Sequence, residues 1–189
     1  TAFLDHLTGQ VKGDDVVVFH FSGYGSQVQV PKSSTNISET TTMGVVNSLV
    51  PIDGTISNKG SPVVNDILEE TLILLGRSLP TNKQTLILDT SYISNGEKLQ
   101  GNFRVRSCAN LIAKNSSPEE IAFQEKLLLR LNANATGKSL NRRKKSIPGI
   151  ILKAVDNNQL ATEGQWNGFN VGLFTYALTQ YLWEMTSPT

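Results

Sequence analysis

Three short apolar runs, each ending in polar or hydroxyl-bearing residues, set the rhythm of this chain. The first is Val16-Val-Val-Phe-His-Phe21, which runs into Ser22-Gly-Tyr-Gly-Ser-Gln27. It predicts a strand over 14–22 followed by a small-residue loop. Its near-continuous apolar character predicts burial on both faces, as in parallel sheets. The second, Thr85-Leu-Ile-Leu-Asp89, is followed by Thr90, Ser91 and Tyr92. The third is Pro148-Gly-Ile-Ile-Leu-Lys-Ala-Val155. Helical spacing appears between them. Val63, Ile67, Leu68, Thr71, Leu72 and Leu75 predict a helix over 62–75, with Pro62 in its first turn and Gly76 as its stop. Ser117-Pro-Glu-Glu120 supplies a cap, an N1 proline and two early carboxylates for a helix over 119–131. Residues 172–183 read as a final amphipathic helix, opened by a glycine-rich turn at 167–172. Phe3, Leu4 and Leu7 share a face of a helix over 1–8, which Gly9 ends.

Strand, helix and strand in this order make a right-handed βαβ unit. The fold class is therefore α/β with a mostly parallel central sheet. In such sheets, sites are built at the carboxyl ends of the strands. That places Ser22–Gln27 and Thr90–Tyr92 at one candidate site. The remaining stretches read as connections. Residues 28–48 are Ser- and Thr-rich and predict a long loop, either flanking the site or plain surface. Residues 49–54 form a short extended piece ending in a turn. Residues 92–117 look irregular. Residues 132–146 form a polar linker holding Arg142-Arg-Lys-Lys145, a solvated loop or an exposed processing or anion-binding site. There is no internal repeat and no domain boundary.

Composition narrows the function classes. The chain has 189 residues, 39% of them hydrophobic, enough for one domain with a sizeable core. A net charge of +1 gives no global pull toward nucleic acid or a membrane. No apolar run reaches the roughly 18 residues of a membrane span. A single cysteine, Cys108, excludes an intramolecular disulfide and fits a reducing, cytoplasmic setting. The triplets at Asn36, Asn115 and Asn134 match the glycosylation pattern by chance, because residues 1–13 do not resemble a secretory signal.

Candidate chemistry is sparse. Two histidines and one cysteine form no metal-ligand set, so no metal site is expected. His20 lies mid-strand and reads as a packed or hydrogen-bonded residue. Gly23-Tyr-Gly25 is not a dinucleotide-binding loop. Ser91 and Tyr24 could pair as nucleophile and phenol, or could merely line a turn. A phenol of ordinary pKa, about 10, is roughly one part in a thousand ionised at pH 7 and is a poor base.

These residues carry a resemblance. Phe19-His-Phe-Ser-Gly-Tyr-Gly-Ser-Gln27 resembles the histidine motif of the metacaspases and orthocaspases, caspase-like proteins of peptidase family C14. Leu86-Ile-Leu-Asp-Thr-Ser-Tyr92, with Ser94 and Gly96, resembles their cysteine motif. Leu49-Val-Pro-Ile-Asp53 resembles the segment between the two. Asn158–Glu163 and Gly172–Leu178 resemble the small-subunit strand-loop and terminal helix. The ordered match spans nearly the whole chain. It implies a three-layer caspase-hemoglobinase-like fold over 1–189, incomplete at its N-terminus and lacking the family's first strand. Residues 92–147 would be the inter-subunit type of linker.

The resemblance also assigns the site. Tyr24 stands where the family has its catalytic histidine, and Ser91 where it has its nucleophilic cysteine. Cys108 matches neither position. Gly25 and Ser91 occupy the positions of the oxyanion-type backbone donors. Ser22, Gly23, Ser26, Gln27 and Asp89 are motif-supporting. Both chemical groups are thus replaced at once, as in the Tyr-Ser variants of the cyanobacterial type. Loss of nucleophile or base in comparable hydrolases costs about 10⁴ to 10⁶ in turnover. The family's acidic pair before Leu49 is replaced by Asn47-Ser48, and Asp53 alone is a weak calcium ligand set. No cofactor is expected. With one acid, Glu39, and one lysine, Lys32, residues 28–48 hold little to select a basic side chain.

The expectation is a catalytically inactive pseudoprotease that binds a peptide or protein partner, another caspase homologue included. The alternative is a working endopeptidase with Ser91 as nucleophile and Tyr24, lowered in pKa by a neighbour, as base. A third reading is a structural module whose cleft is unused.

Overall fold

The computed structural model describes residues 7, 9–31, 43–52, 66–93, 99, 101–108, 115–134, 146–166 and 168–186. In chain order they form β1 (Val17–Ser22), β2 (Tyr24–Pro31), β3 (Met43–Val50), β4 (Ile67–Leu68), α1 (Glu69–Ser78), β5 (Gln84–Asp89), β6 (Arg104–Val105), α2 (Pro118–Asn134), β7 (Gly149–Lys153), β8 (Thr162–Trp166), β9 (Phe169–Gly172) and α3 (Leu173–Thr186).

The three apolar runs become one parallel sheet, in the order β1-β5-β7. Strand alternation then sorts its side chains between two faces. Phe19 and Phe21 of β1 and Leu86 and Leu88 of β5 pack with Leu72 and Leu75 of α1 and Leu127 and Leu131 of α2. His20 and Ser22 point the other way and meet Thr175 of α3. Helices therefore lie on both faces of the sheet, and the expected mixed α/β architecture holds. Burial of β1 on both faces does not. Val18, His20 and Ser22 are all exposed, and Ile150 of β7 is more than half exposed, so among the described residues that face stays open along the whole of β1 apart from the contacts of His20 and Ser22 with Thr175.

Two further antiparallel sheets frame the carboxyl end of the parallel one. One has the order β2-β3-β4 and the other β6-β8-β9. The first takes up both ends of the loop expected over 28–48, at 28–31 and 43–48, and residues 32–42 lie outside the described residues. β2 and β3 pair from Tyr24↔Val50 to Pro31↔Met43. Inward-facing Val28 packs with Leu68, Val30, Val46 and Ile121, a period-2 pattern that the Ser- and Thr-rich stretch between the strands obscured. Likewise, the glycine-rich turn expected at 167–172 is largely strand, because β8 and β9 form a hairpin.

Helix boundaries shift for identifiable reasons. Residues 67–68 pair with β3 as β4, so the helix expected over 62–75 begins only at Glu69. Its entry is held by α2, whose Glu120 accepts a hydrogen bond from Leu68 N at 3.3 Å. The helix runs through Gly76 to Ser78, where Leu79 N closes on Gly76 O, and Pro80 follows. Helix α2 starts as expected: Glu120 N donates to Ser117 Oγ at 3.1 Å. Near the start of the chain, Val11 N donates to Leu7 O at 2.9 Å, so the helical turn continues past Gly9. The rest of the helix expected over 1–8 lies outside the described residues, as do Arg142–Lys145, Asp53, Glu39, Lys32, Ser94 and Gly96.

Candidate functional site

The two motifs meet where β1 and β5 end. Only Gly23 separates β1 from β2, so Tyr24 opens a strand and not a loop. This turns the chain sharply across the end of β5. Gly25 then lies against the backbone of Ser91 so closely that a Cβ there would overlap Ser91 O, Thr90 Oγ1 and the Tyr92 ring. Sequence resemblance had set Tyr24, Gly25 and Ser91 at one site, and the structure brings them together. Ser26 is buried beside them, and Gln27 Nε2 donates to Asn47 Oδ1 at 3.4 Å.

Beneath this junction lies a residue that sequence reasoning missed. Arg106 is nearly enclosed, with 6% of its side chain exposed. Its Nη2 donates to Ser22 Oγ at 2.9 Å, and its Nε donates to Asp89 O at 3.1 Å and Gly23 O at 3.4 Å. Two carboxylates balance its charge. Glu163 Oε2 lies 3.4 Å from Nη1, and Asp89 Oδ1 lies 3.8 Å from Nε. Asp89 is fully buried and also accepts from Thr175 N at 3.0 Å and from Ser22 Oγ at 3.4 Å. The carboxylate therefore sits at the N-terminus of α3, where the helix dipole favours negative charge. Gly172 makes room for it, since a Cβ there would overlap both Asp89 Oδ2 and Arg106 Nη1.

The arrangement decides the protonation of Tyr24. The phenol is 38% exposed and donates to Glu163 Oε1 at 3.0 Å. Partial burial, that hydrogen bond and the carboxylate charge raise its pKa above 10 and outweigh the opposing pull of Arg104 and Arg106. At neutral pH the group is a phenol, not a phenolate. The lowered pKa that a tyrosine base requires is replaced by a raised one. Ser91 is in no better position to react. Its residue is 0% exposed, and Oγ is buried without a hydrogen-bond partner among the described residues. Next to it, Tyr92 is raised well above its ordinary pKa by burial and by the Glu69 carboxylate.

The backbone donors are already engaged. Gly25 N and Ser91 N each donate to the carbonyl of Arg106 at 3.1 Å, and Thr90 Oγ1 donates to the same oxygen at 3.4 Å. That carbonyl is delivered by β6, which pairs antiparallel with β8 through Arg104↔Glu163 and Val105↔Thr162. Beyond it, Ser107 bridges Gly25, and Cys108 N donates to Gly25 O at 2.8 Å. Within the segment expected to be irregular, 92–117, residues 104–108 thus run extended through the site. The alternation in Phe103-Arg-Val-Arg-Ser107 was the available signal.

His20 is hydrogen-bonded, as its strand position predicted, with Nε2 3.2 Å from Thr175 Oγ1. At Asn47 and Ser48, where the resemblance sets the family's acidic pair, the side chains are hydrogen-bonded within the chain. Asn47 Nδ2 donates to Glu69 Oε2 and Asn157 Oδ1, Ser48 Oγ donates to Asp66 Oδ2, and Lys153 already pairs with Glu69. Among the described residues, no group of three His, Cys, Asp or Glu is arranged to hold a metal ion, and no helix is long and apolar enough to cross a membrane.

No curated protein matches the chain. The family model described as the caspase domain, peptidase family C14, matches residues 2–188. With the parallel sheet, the two motifs at its carboxyl end and a match of that extent, the chain belongs to the caspase domain family.

Proposed function

We propose that this caspase domain is a catalytically silent member of its family, a pseudoprotease of the metacaspase and orthocaspase kind. On this reading its cleft serves to bind an extended peptide or a protein partner, another caspase homologue included. The observation that carries the reading is the state of the two catalytic positions. The phenol of Tyr24 is kept protonated by partial burial and by its hydrogen bond to Glu163, and the hydroxyl of Ser91 is buried with no hydrogen-bond partner among the described residues. A serine hydroxyl without an adjacent base is a weak nucleophile. The resemblance to the cyanobacterial Tyr-Ser variants, the single cysteine and the low net charge support a cytoplasmic protein without nucleic-acid or membrane partners. The donor set around Asn47 supports independence from calcium.

The test is to incubate the protein with arginine, lysine and aspartate peptide reporters, with and without calcium. The expected result is no turnover above buffer. Turnover that Ser91→Ala abolishes would overturn the reading and restore the endopeptidase alternative. Partner capture is tested in parallel with Tyr24→Ala and Ser91→Ala. Unchanged capture in both variants would argue that partners do not use the cleft.

A further inference from the structure

Four polar groups run in line from the open side of β1 to the buried ion pair: His20, Thr175, Ser22 and Asp89. His20 and Ser22 are two apart on β1, so their side chains leave the same face of the strand, and Thr175 of α3 reaches both. His20 Nε2 is 3.2 Å from Thr175 Oγ1, Thr175 Oγ1 is 3.2 Å from Ser22 Oγ, and Ser22 Oγ is 3.4 Å from Asp89 Oδ2. The inner end fixes the direction of this chain. The Arg106 guanidinium, 2.9 Å from Ser22 Oγ, can only donate, and the Asp89 carboxylate that faces it can only accept. Each hydroxyl has one proton to give. When Ser22 donates to Asp89 and Thr175 donates to Ser22, every neighbour is joined, provided that His20 donates from Nε2. The reversed chain makes His20 the acceptor and turns the Ser22 proton toward Thr175, which strips Asp89 of one hydrogen bond. A hydrogen bond to a charged group favours the first arrangement by at least about 10-fold.

We propose that His20 is a positioning residue: its Nε2 proton starts a one-way relay through Thr175 and Ser22 to Asp89, and this relay holds the first turn of α3 against the end of β1. Nδ1 is left as the acceptor of the neutral ring. Asp89 also accepts the Thr175 amide at 3.0 Å and opposes Arg106, so the relay orients the carboxylate that lies beneath the junction of the two motifs. A histidine that sequence alone marks as a packed strand residue thereby gains a defined tautomer and a defined task. The inference goes beyond the silent-cleft reading and holds whether or not the cleft takes a partner.

Two readouts on the full chain test this. Labelling histidine with nitrogen-15 and recording long-range proton–nitrogen spectra at about pH 9, where an ordinary imidazole is neutral, shows which ring nitrogen carries the proton. His20→Gln removes the His20 signals and so separates them from those of His6. The Nε2–H form of His20 should exceed the Nδ1–H form by at least about 10-fold. In Thr175→Val, which removes the middle hydroxyl at nearly constant shape, the ratio should move toward that of the chain unfolded in urea. A native ratio no higher than the unfolded one, or a ratio that Thr175→Val leaves unmoved, overturns the proposal. Hydrogen exchange of the Thr175 amide, taken relative to Leu88 of β5, is the second readout. His20→Leu should speed it by about 3- to 10-fold, the worth of one hydrogen bond. His20→Gln should return it to within about 2-fold of the parent, because the side-chain amide donates in place of Nε2. Equal acceleration in both variants would show that the shape of the ring, not its proton, holds α3. Acceleration in neither would show that the relay holds nothing. Either result overturns the proposal.

Discussion

The phenol of Tyr24 and the carboxylate of Glu163 share a hydrogen bond of 3.0 Å, and the other oxygen of that carboxylate faces the guanidinium of Arg106. Glu163 thus ties the residue in the histidine position to the arginine beneath it. Replacing it by Glu163→Gln keeps the shape and removes the charge. The pKa of Tyr24 should fall toward 10, since both the hydrogen bond and the charge of Glu163 raise it. NMR of labelled tyrosines across pH 8–12 measures this; an unmoved Tyr24 titration would show that burial alone sets its pKa.

Asp89 carries more of the fold than its label as a motif-supporting residue implied. It is fully buried, opposes Arg106 and caps α3. Asp89→Ala leaves a buried guanidinium short of one counter-charge and a helix without its cap. The expected loss is about 3–5 kcal/mol, the range for breaking a buried pair. Urea unfolding followed by circular dichroism gives the value. A loss below about 1 kcal/mol would mean that the pair is relaxed or solvated in solution.

Position 91 is closed to reagents. In Ser91→Cys, the new thiol should react with iodoacetamide much more slowly than Cys108, by about 100-fold if access follows local opening of about 2.7 kcal/mol. Cys108 is partly exposed and serves as the internal standard. Mass spectrometry of the alkylated peptides reports both rates at once. Equal rates would show that the nucleophile position is open in solution.

Alkaline pH should unfold the chain through its phenols. Tyr24 and Tyr92 both have raised pKa values in the folded state. Their contribution to stability is complete below the unfolded tyrosine value of about 10 and is lost as pH rises through the folded values. Urea midpoints should therefore hold steady as these phenols stay protonated and fall above pH 10. Tyr92→Phe should flatten that fall, because Tyr92 is the more strongly raised of the two.

Much of this was legible in the chain, and what was not has physical reasons. The strands of the parallel sheet declared themselves because β5 and β7 are short apolar runs bounded by polar residues. Tyr24, Gly25 and Ser91 could be set at one site through motif resemblance. The hairpin of β2 and β3 was hidden because its alternation is carried by few apolar residues in a hydroxyl-rich stretch. Arg106 was hidden for a stronger reason. Nothing local distinguishes it from Arg104 two positions earlier, yet Arg104 is exposed and Arg106 is buried. What separates them is pairing with β8, nearly 60 positions downstream, and a pocket whose walls come from residues 22, 89 and 163. Asp89 and Glu163 reach Arg106 from a strand end and a distant hairpin, outside the stretch 28–48.

The wide spread of Arg106's partners bears on how the protein is made. During synthesis the three described strands of the parallel sheet are all present once β7 has left the ribosome, but the guanidinium still lacks Glu163 and the Asp89 carboxylate still lacks the amide of Thr175. Until Glu163 and Thr175 emerge, the chain carries an arginine and an aspartate committed to burial without their full set of partners. Assembly of the cleft therefore follows that of the described parallel strands, and a ribosome stalled just after β7 would present those strands with an unfinished site.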